Sequence, residues 1–303
     1  MKILTIIICT HNRSKLLMEC VNSLIKQNTE NVEIIIIDNN SKDNTKDISL
    51  KYISKNKNIR YVFEQNIGLS FARNRGIKEA KYNWILYIDD DAIAFPDLIE
   101  RALHLAKRGD FDCVGGMYYG YYENEKPKWI PNEFGSKQLF STTLVPCSYT
   151  IPSGGIVLYK KSMLESLKGF SPIFGMVGDK KWLGEETELQ FRAENKGYKL
   201  GFDPELKIHH LVKPEYTKLS WHLKRSFLEG NAISKIVNTS TIGSLILSFL
   251  RSCLGLFLRR IPVNTYKSIF NKNYYWQNLV LDSFRPNLLN LGKMAGYFKM
   301  PKN

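Results

Sequence analysis

Three adjacent carboxylates, Asp89, Asp90 and Asp91, end the apolar run Trp84-Ile85-Leu86-Tyr87-Ile88. A strand has no need of three neighbouring anions, and charges that close call for a cation. Hard oxygen ligands at a strand end suit Mg²⁺ or Mn²⁺, ions that keep coordination positions open for substrate phosphates. A solvated turn that stops the strand is the plain alternative, so the weight falls on where the other polar clusters lie.

The elements that must position the carboxylates are legible along the chain. Ile3 to Cys9 is a continuous, largely β-branched run, the pattern of a strand buried on both faces, and it ends in Thr10-His11-Asn12-Arg13. Leu16, Leu17, Cys20, Val21, Leu24 and Ile25 then recur at helical spacing behind Ser14. A second unit reads as strand Glu33 to Ile37, the turn Asp38-Asn39-Asn40-Ser41-Lys42-Asp43 and a helix from Thr45 to Ile53. Ile59 to Phe63 gives a third strand, and Gly68 opens a helix from Leu69 to Ala80 that carries Arg73 and Arg75. Strands alternating with helices imply an α/β fold with a doubly wound, mostly parallel sheet. In such sheets ligands bind beyond the carboxyl ends of the strands. Thr10 to Arg13, Asp38 to Ser41, Asn66 to Arg73 and the acidic triad all fall on that rim. Their chemistry matches a nucleoside diphosphate: amides and hydroxyls for base and ribose, arginine for charge, a metal for the phosphates.

Ile6-Ile7-Ile8-Cys9-Thr10-His11-Asn12-Arg13, Ile37-Asp38-Asn39-Asn40-Ser41, Asn66-Ile67-Gly68-Leu69-Ser70-Phe71-Ala72-Arg73-Asn74 and the Asp-X-Asp element Asp89 to Asp91 together resemble the family 2 glycosyltransferases, over about residues 3 to 230. The resemblance implies a GT-A fold, an inverting transfer from a nucleotide-sugar donor, and bacterial surface-glycan assembly. It assigns Thr10, His11, Asn12, Arg13, Asp38, Asn39, Asn66, Arg73, Asp89 and Asp90 to nucleotide binding, and Asp91 and Asp89 to Mn²⁺ or Mg²⁺, with Asp91 the principal direct ligand. Many members carry two aspartates where this chain has Asp38-Asn39. Asn39 offers a donor as well as an acceptor, which leaves the base open, with uridine the default and thymidine or guanosine the alternatives.

The later half is expected to supply acceptor and base. Gly154 and Gly155 precede the apolar run Ile156 to Tyr159, and small residues there let backbone approach a ligand. By the resemblance they line the sugar pocket together with Trp182. Glu185, Glu186 and Glu188 open a helix, where acidic side chains are ordinary partners of the helix dipole. The resemblance instead makes Glu186 the base that deprotonates the acceptor hydroxyl, with Glu185 the fallback, and proximity to phosphate and a second acid should raise the pKa of Glu186. Of the adjacent His209 and His210, alternation along a strand allows one to face the site. Relatives place a histidine there at the metal or diphosphate, and His209 is the expectation.

Charge is unevenly spread. The net charge is +14, yet residues 218–303 hold 13 Lys or Arg against only Glu229 and Asp282. The same stretch contains Ile242, Leu245, Ile246, Leu247, Phe249, Leu250, Leu254, Leu256, Phe257 and Leu258, closed by Arg259-Arg260. Arg251 near the centre would cost about 2.5 to 3.5 kcal/mol in a bilayer, which argues against a spanning helix. A helix lying on an anionic membrane, or packed on protein, fits better. Tyr274-Tyr275-Trp276 adds aromatics of the kind enriched at membrane interfaces.

The expected organisation is a catalytic domain over 1–217, with a nucleotide-binding half at 1–115 and an acceptor half at 116–217, then a basic helical extension over 218–303. Five scattered cysteines without metal-ligand spacing suit a reducing compartment, and Met1-Lys2 leads straight into the first strand without a leader peptide. The expected setting is cytoplasmic, peripheral on the inner face of the plasma membrane. Expected partners are a nucleotide-diphosphate sugar, a glycan or lipid-linked acceptor and an anionic membrane surface; a homo-oligomer stays open. A nucleotidyltransferase would share sheet and metal, but no glycine-rich phosphate loop follows the first strand. No nucleic-acid partner is expected, because the basic tail is too apolar for an electrostatic stripe. A processive synthase would need several membrane spans and a Gln-X-X-Arg-Trp element, neither of which is visible.

Overall fold

The computed structural model describes residues 3–137, 140–152, 154–174, 176–177, 180–181, 184–236 and 241–298. The chain divides into two compact units. One comprises Met1–Tyr121, Gly135–Lys181 and Glu185–Leu211; the other comprises Tyr122–Phe134, Trp182–Gly184 and Val212–Asn303.

The first unit is an α/β open sheet. Its strands are β1 Leu4–Thr10, β2 Val32–Asp38, β3 Ile59–Phe63, β4 Trp84–Asp89, β5 Ala92–Ala94, β6 Cys113–Tyr121, β7 Ile156–Lys160 and β8 Leu200–Leu211, in the spatial order β3-β2-β1-β4-β7-β6-β8-β5. β3, β2, β1 and β4 run parallel, joined by the helices α1 Ser14–Ile25, α2 Thr45–Ile53 and α3 Leu69–Glu79. The β-branched runs of β1 and β2 are buried on both faces because helices cover each side of the sheet. β7 then enters antiparallel between β4 and β6, and β8 pairs parallel with β6 and antiparallel with β5. The sheet is therefore parallel across β3, β2, β1 and β4 and mixed beyond them. Helices α4 Leu98–Arg108, α5 Lys161–Ser166 and α6 Glu185–Asn195 complete the unit.

Register brings the chemistry to one rim. Thr10 pairs with Asp38 across β1 and β2, and Cys9 with Asp89 across β1 and β4, so three polar clusters leave neighbouring strand ends at one level.

The second unit is helical: α7 Leu219–Ile236, α8 Ile242–Gly255, α9 Ile261–Phe270 and α10 Trp276–Phe298. α7 and α10 approach until their backbones nearly touch. A Cβ on Gly230 would lie 2.0 Å from the Leu289 carbonyl oxygen, and one on Gly292 2.0 Å from that of Phe227, so larger residues would force the helices apart. α8 and α9 form one helix, Ile242–Phe270, through a π-helical turn at Leu256–Arg260. By length and composition this is, among the described residues, the helix apolar enough to cross a membrane.

Candidate active site

The acidic triad is split by strand geometry into two jobs. Asp90 is buried and turned toward the β1 end, where it accepts from Thr10 Oγ1 at 2.8 Å and from Arg13 Nη1 at 2.9 Å. Burial pushes its pKa up to about 6, against the pull of Arg13 and with the push of Asp91. Asp89 and Asp91 flank it on the other side. His210 Nε2 lies 3.4 Å from Asp89 Oδ2 and 3.3 Å from Asp91 Oδ1, and one ligand atom from each of the three falls within 4.8 Å of the others. Two carboxylates and an imidazole at that spacing are a donor set for Mn²⁺, which accepts nitrogen alongside oxygen; Mg²⁺ is served less well by the imidazole.

The histidine is His210, one residue beyond the expected His209. β8 runs antiparallel to β5 with His210 opposite Ala92 and His209 opposite Ile93, and Leu211 N–H donates to the Asp91 carbonyl at 3.1 Å. That register sets His210 beside the carboxylates. His209 points to the opposite face, where its ring stacks on Phe95 with centroids 4.4 Å apart.

Arg73, from α3, is buried between this cluster and α6. Its guanidinium lies 3.0 Å from Glu185 Oε1, 3.8 Å from Glu186 Oε2 and 3.8 Å from Asp89 Oδ1. Burial works against its charge, and Glu185, Glu186 and Asp89 more than restore it. Glu186 Oε1 accepts the Gly154 N–H at 3.1 Å, while among the described residues its buried Oε2 has no hydrogen-bond partner. An unsatisfied buried carboxylate oxygen is costly and calls for an explanation. A side chain at 154 would displace these groups: a Cβ would sit 2.7 Å from Glu186 Oε1 and 2.9 Å from Arg73 Nη2. At Gly155 the nearest atom would be His210 Cδ2 at 3.4 Å, an ordinary contact.

The pair of acids titrates differently from expectation. Burial, followed by the Glu186 charge, pushes Glu185 up to about 8. For Glu186, burial is outweighed by Arg73 and by hydrogen bonds that include Gly154 N–H, and its pKa falls below the ordinary value. The guanidinium and the glycine turn thus favour the ionised form at Glu186, while burial and the neighbouring charge favour the protonated form at Glu185.

The polar clusters after β1, β2 and β3 form a bonded rim. Asp38 is buried, accepting from Tyr61 OH at 2.8 Å and from Ser41 N–H at 2.9 Å. Asn39 is buried too, and both ends of its amide engage the chain itself: Nδ2 donates to the Asn66 carbonyl at 2.6 Å and Oδ1 accepts from Gly68 N–H at 2.7 Å. A carboxylate could accept from Gly68 but could not donate to Asn66, which gives a physical reason for Asn here. His11 Nδ1 lies 2.6 Å from the Asn39 carbonyl oxygen, and Asn12, at a left-handed φ of 54°, accepts from Lys42 N–H. Lys137, which no pattern in the sequence singles out, is packed between the Tyr118 and Phe202 rings; burial lowers its pKa to about 8, against the opposing pull of Cys147 and Glu186. Trp182 lies outside the described residues.

Residues 5–168 match the model of the family described as glycosyl transferase family 2. The chain is 32% identical to glycosyltransferase GlyG of Streptococcus pneumoniae over 125 residues, 41% of this chain and 42% of that protein. It thus matches less than half the length of that relative. Among solved structures, the Pyrobaculum calidifontis mannosyltransferase PcManGT in complex with GDP-Man and Mn²⁺ superposes with a TM-score of 0.65 at 14% identity, over 95% of this chain and 86% of that one. Staphylococcus aureus TarS in complex with UDP-GlcNAc gives 0.55 at 15% identity, over 99% and 92%. At such identity the likeness is one of fold, here the GT-A type. With more than half its residues inside the family match, its sheet order and its rim clusters in place, this chain is a family 2 glycosyltransferase.

Proposed function

We propose that the chain moves one sugar, with inversion, from a nucleoside-diphosphate sugar to a hydroxyl of a glycan or lipid-linked acceptor in bacterial surface-polysaccharide assembly. Uridine is the proposed base. The observation that carries the reading is the juxtaposition, around Arg73, of a cation-ready cluster (Asp89, Asp91, His210) with a buried carboxylate oxygen on Glu186 that pairs with Arg73 at 3.8 Å and accepts no hydrogen bond from the described residues.

In this reading Asp89, Asp91 and His210 hold Mn²⁺ or Mg²⁺, and a bound ion would screen the leaving diphosphate as a Lewis acid. Glu186 Oε2 takes the proton of the acceptor hydroxyl, and that oxygen forms a bond to the anomeric carbon on the face opposite the diphosphate. The bond from that carbon to the phosphate oxygen breaks, its electron pair leaves with the diphosphate, and the configuration inverts. Gly154 N–H and Arg73 orient Glu186 and hold it ionised. Arg13, tied to Asp90 and lying 3.5 Å from Asp91 Oδ2, braces the triad against its own repulsion.

Glu186→Gln keeps an acceptor for Gly154 N–H and removes the base. Turnover should fall by about a thousandfold or more with nucleotide affinity nearly unchanged. Equal loss of both would make Glu186 structural. Product configuration, read by NMR from a donor of known anomeric form, tests inversion directly; retention would overturn the mechanism.

A further inference from the structure

The helix Ile242–Phe270 has an unusual polarity. Its protein-facing side buries Leu245 and Leu256 but also Ser252 and Asn264, and with Arg260 these polar groups meet Ser283 and Asn287 of α10: Ser252 Oγ donates to Asn287 Oδ1 at 3.1 Å, Asn264 Nδ2 donates to Ser283 Oγ at 3.0 Å, and Arg260 Nε donates to the Ser283 carbonyl at 2.9 Å. Ser252, Asn264, Ser283 and Asn287 are all buried. The outward side carries Leu247, Leu250, Leu254, Phe257 and Leu258, then Val263, Tyr266, Ile269 and Phe270, with exposures from 45% at Val263 to 72% at Leu258. A helix packed on a water-soluble core shows the reverse polarity. Polar groups turned to protein with apolar groups turned outward match a helix whose outer solvent is hydrocarbon.

Charge identifies which apolar medium. Arg251, Arg259 and Lys267 are exposed on the same helix and Lys272 follows it, and Glu229 and Asp282 are the only acids after residue 217. Self-association through this face would bring like charges together. A bilayer with anionic headgroups would instead take the leucines and phenylalanines into its acyl boundary while the long basic side chains reach the phosphates. Arg251 and Arg259, exposed on either side of the helix midpoint, favour a helix in the plane of the surface over one that spans.

We infer that the outward face of Ile242–Phe270 is an in-plane docking surface for an anionic lipid bilayer. The inference is independent of the catalytic reading. Co-sedimentation of the full chain with vesicles of phosphatidylcholine containing about 30% phosphatidylglycerol tests it, against pure phosphatidylcholine and against about 0.5 M NaCl. Strong binding to the anionic vesicles, weakened by salt and by omission of the anionic lipid, is expected. The exposed double variant Leu254→Glu/Phe257→Glu should lower vesicle partitioning by about tenfold or more with an unchanged circular dichroism spectrum. Arg251→Gln/Arg259→Gln should weaken binding to anionic vesicles while leaving the residual binding to neutral ones. Failure of the parent chain to sediment with anionic vesicles would overturn the inference, as would equal binding by the leucine and phenylalanine variant. A dimer in size-exclusion chromatography that this variant dissociates, without vesicle binding by the parent, would assign the face to a second copy instead.

Discussion

Gly154→Ala is the sharpest test of the idea that a glycine turn holds the base. The added methyl would lie 2.7 Å from Glu186 Oε1, where an ordinary contact begins at 3.4 Å, and 2.9 Å from Arg73 Nη2. Relief needs a shift of about 0.7 Å in the carboxylate, and the 3.1 Å hydrogen bond from Gly154 N–H lies in the path of that shift. Misplacement by about 1 Å costs a catalytic group roughly a hundredfold, so kcat should fall by about 10- to 100-fold. The displaced atoms are the ends of flexible side chains and not backbone, so the melting temperature should change by only a few degrees or less. Gly155→Ala is the control, because its methyl would meet His210 Cδ2 at 3.4 Å and nothing closer; its kcat should stay within about threefold of the parent. Steady-state kinetics with a coupled nucleoside-diphosphate assay, beside thermal denaturation, reads both quantities. A Gly154→Ala enzyme as active as the parent, or two alanine variants equally impaired, would refute the reasoning.

Further outcomes follow from the same contacts. Asn39→Asp sets a carboxylate oxygen where Nδ2 now donates to the Asn66 carbonyl at 2.6 Å, and should destabilise the fold by about 1–3 kcal/mol, seen as a lowered midpoint in denaturant; unchanged stability would mean the amide is not what ties the two loops. Glu185 is protonated in the fold up to about pH 8 but only to about pH 4.5 when unfolded. The folded state therefore binds the extra proton between those values, and stability in chelator should fall as pH rises across that window. Glu185→Gln should flatten that part of the profile, and an unaltered slope would move the proton elsewhere.

Much of the site was readable because it depends on local order. Each rim cluster follows directly on a β-branched run, so Thr10, Asp38, Asn66 and Asp89 could be put at strand ends without knowing which strands pair. What pairing decides was less legible. His209 and His210 are equivalent in the sequence, and only the register of β8 against β5, two strands more than a hundred residues apart, turns His210 to the carboxylates. The antiparallel entry of β7 between β4 and β6 is likewise a long-range choice that no local pattern announces. Asn39 reads as a base-contacting group until its partners, 27 and 29 residues on, are seen to occupy both ends of its amide. Proximity alone foretold a raised pKa for Glu186; Arg73 and Gly154 N–H, contributed from elsewhere in the chain, reverse it and leave the raised value to Glu185. Which side of the C-terminal helix faces protein is set by α10, whose Ser283 and Asn287 meet Ser252 and Asn264 across a packing that no local pattern announces.

The central claim is that Asp89, Asp91 and His210 bind a divalent cation that ties a nucleoside-diphosphate sugar to this rim. The most direct measurement is the melting temperature of the full chain with a panel of UDP-, GDP- and dTDP-sugars, each with Mn²⁺ and with EDTA, repeated for Asp91→Ala. At about 100 times its Kd a donor stabilises by about 2.7 kcal/mol, a rise of roughly 5–10 °C for a domain of this size. The account predicts that rise for one class of donor with Mn²⁺, its loss in EDTA, and its absence in Asp91→Ala. The same rise in EDTA, or an undiminished one in Asp91→Ala, would contradict it.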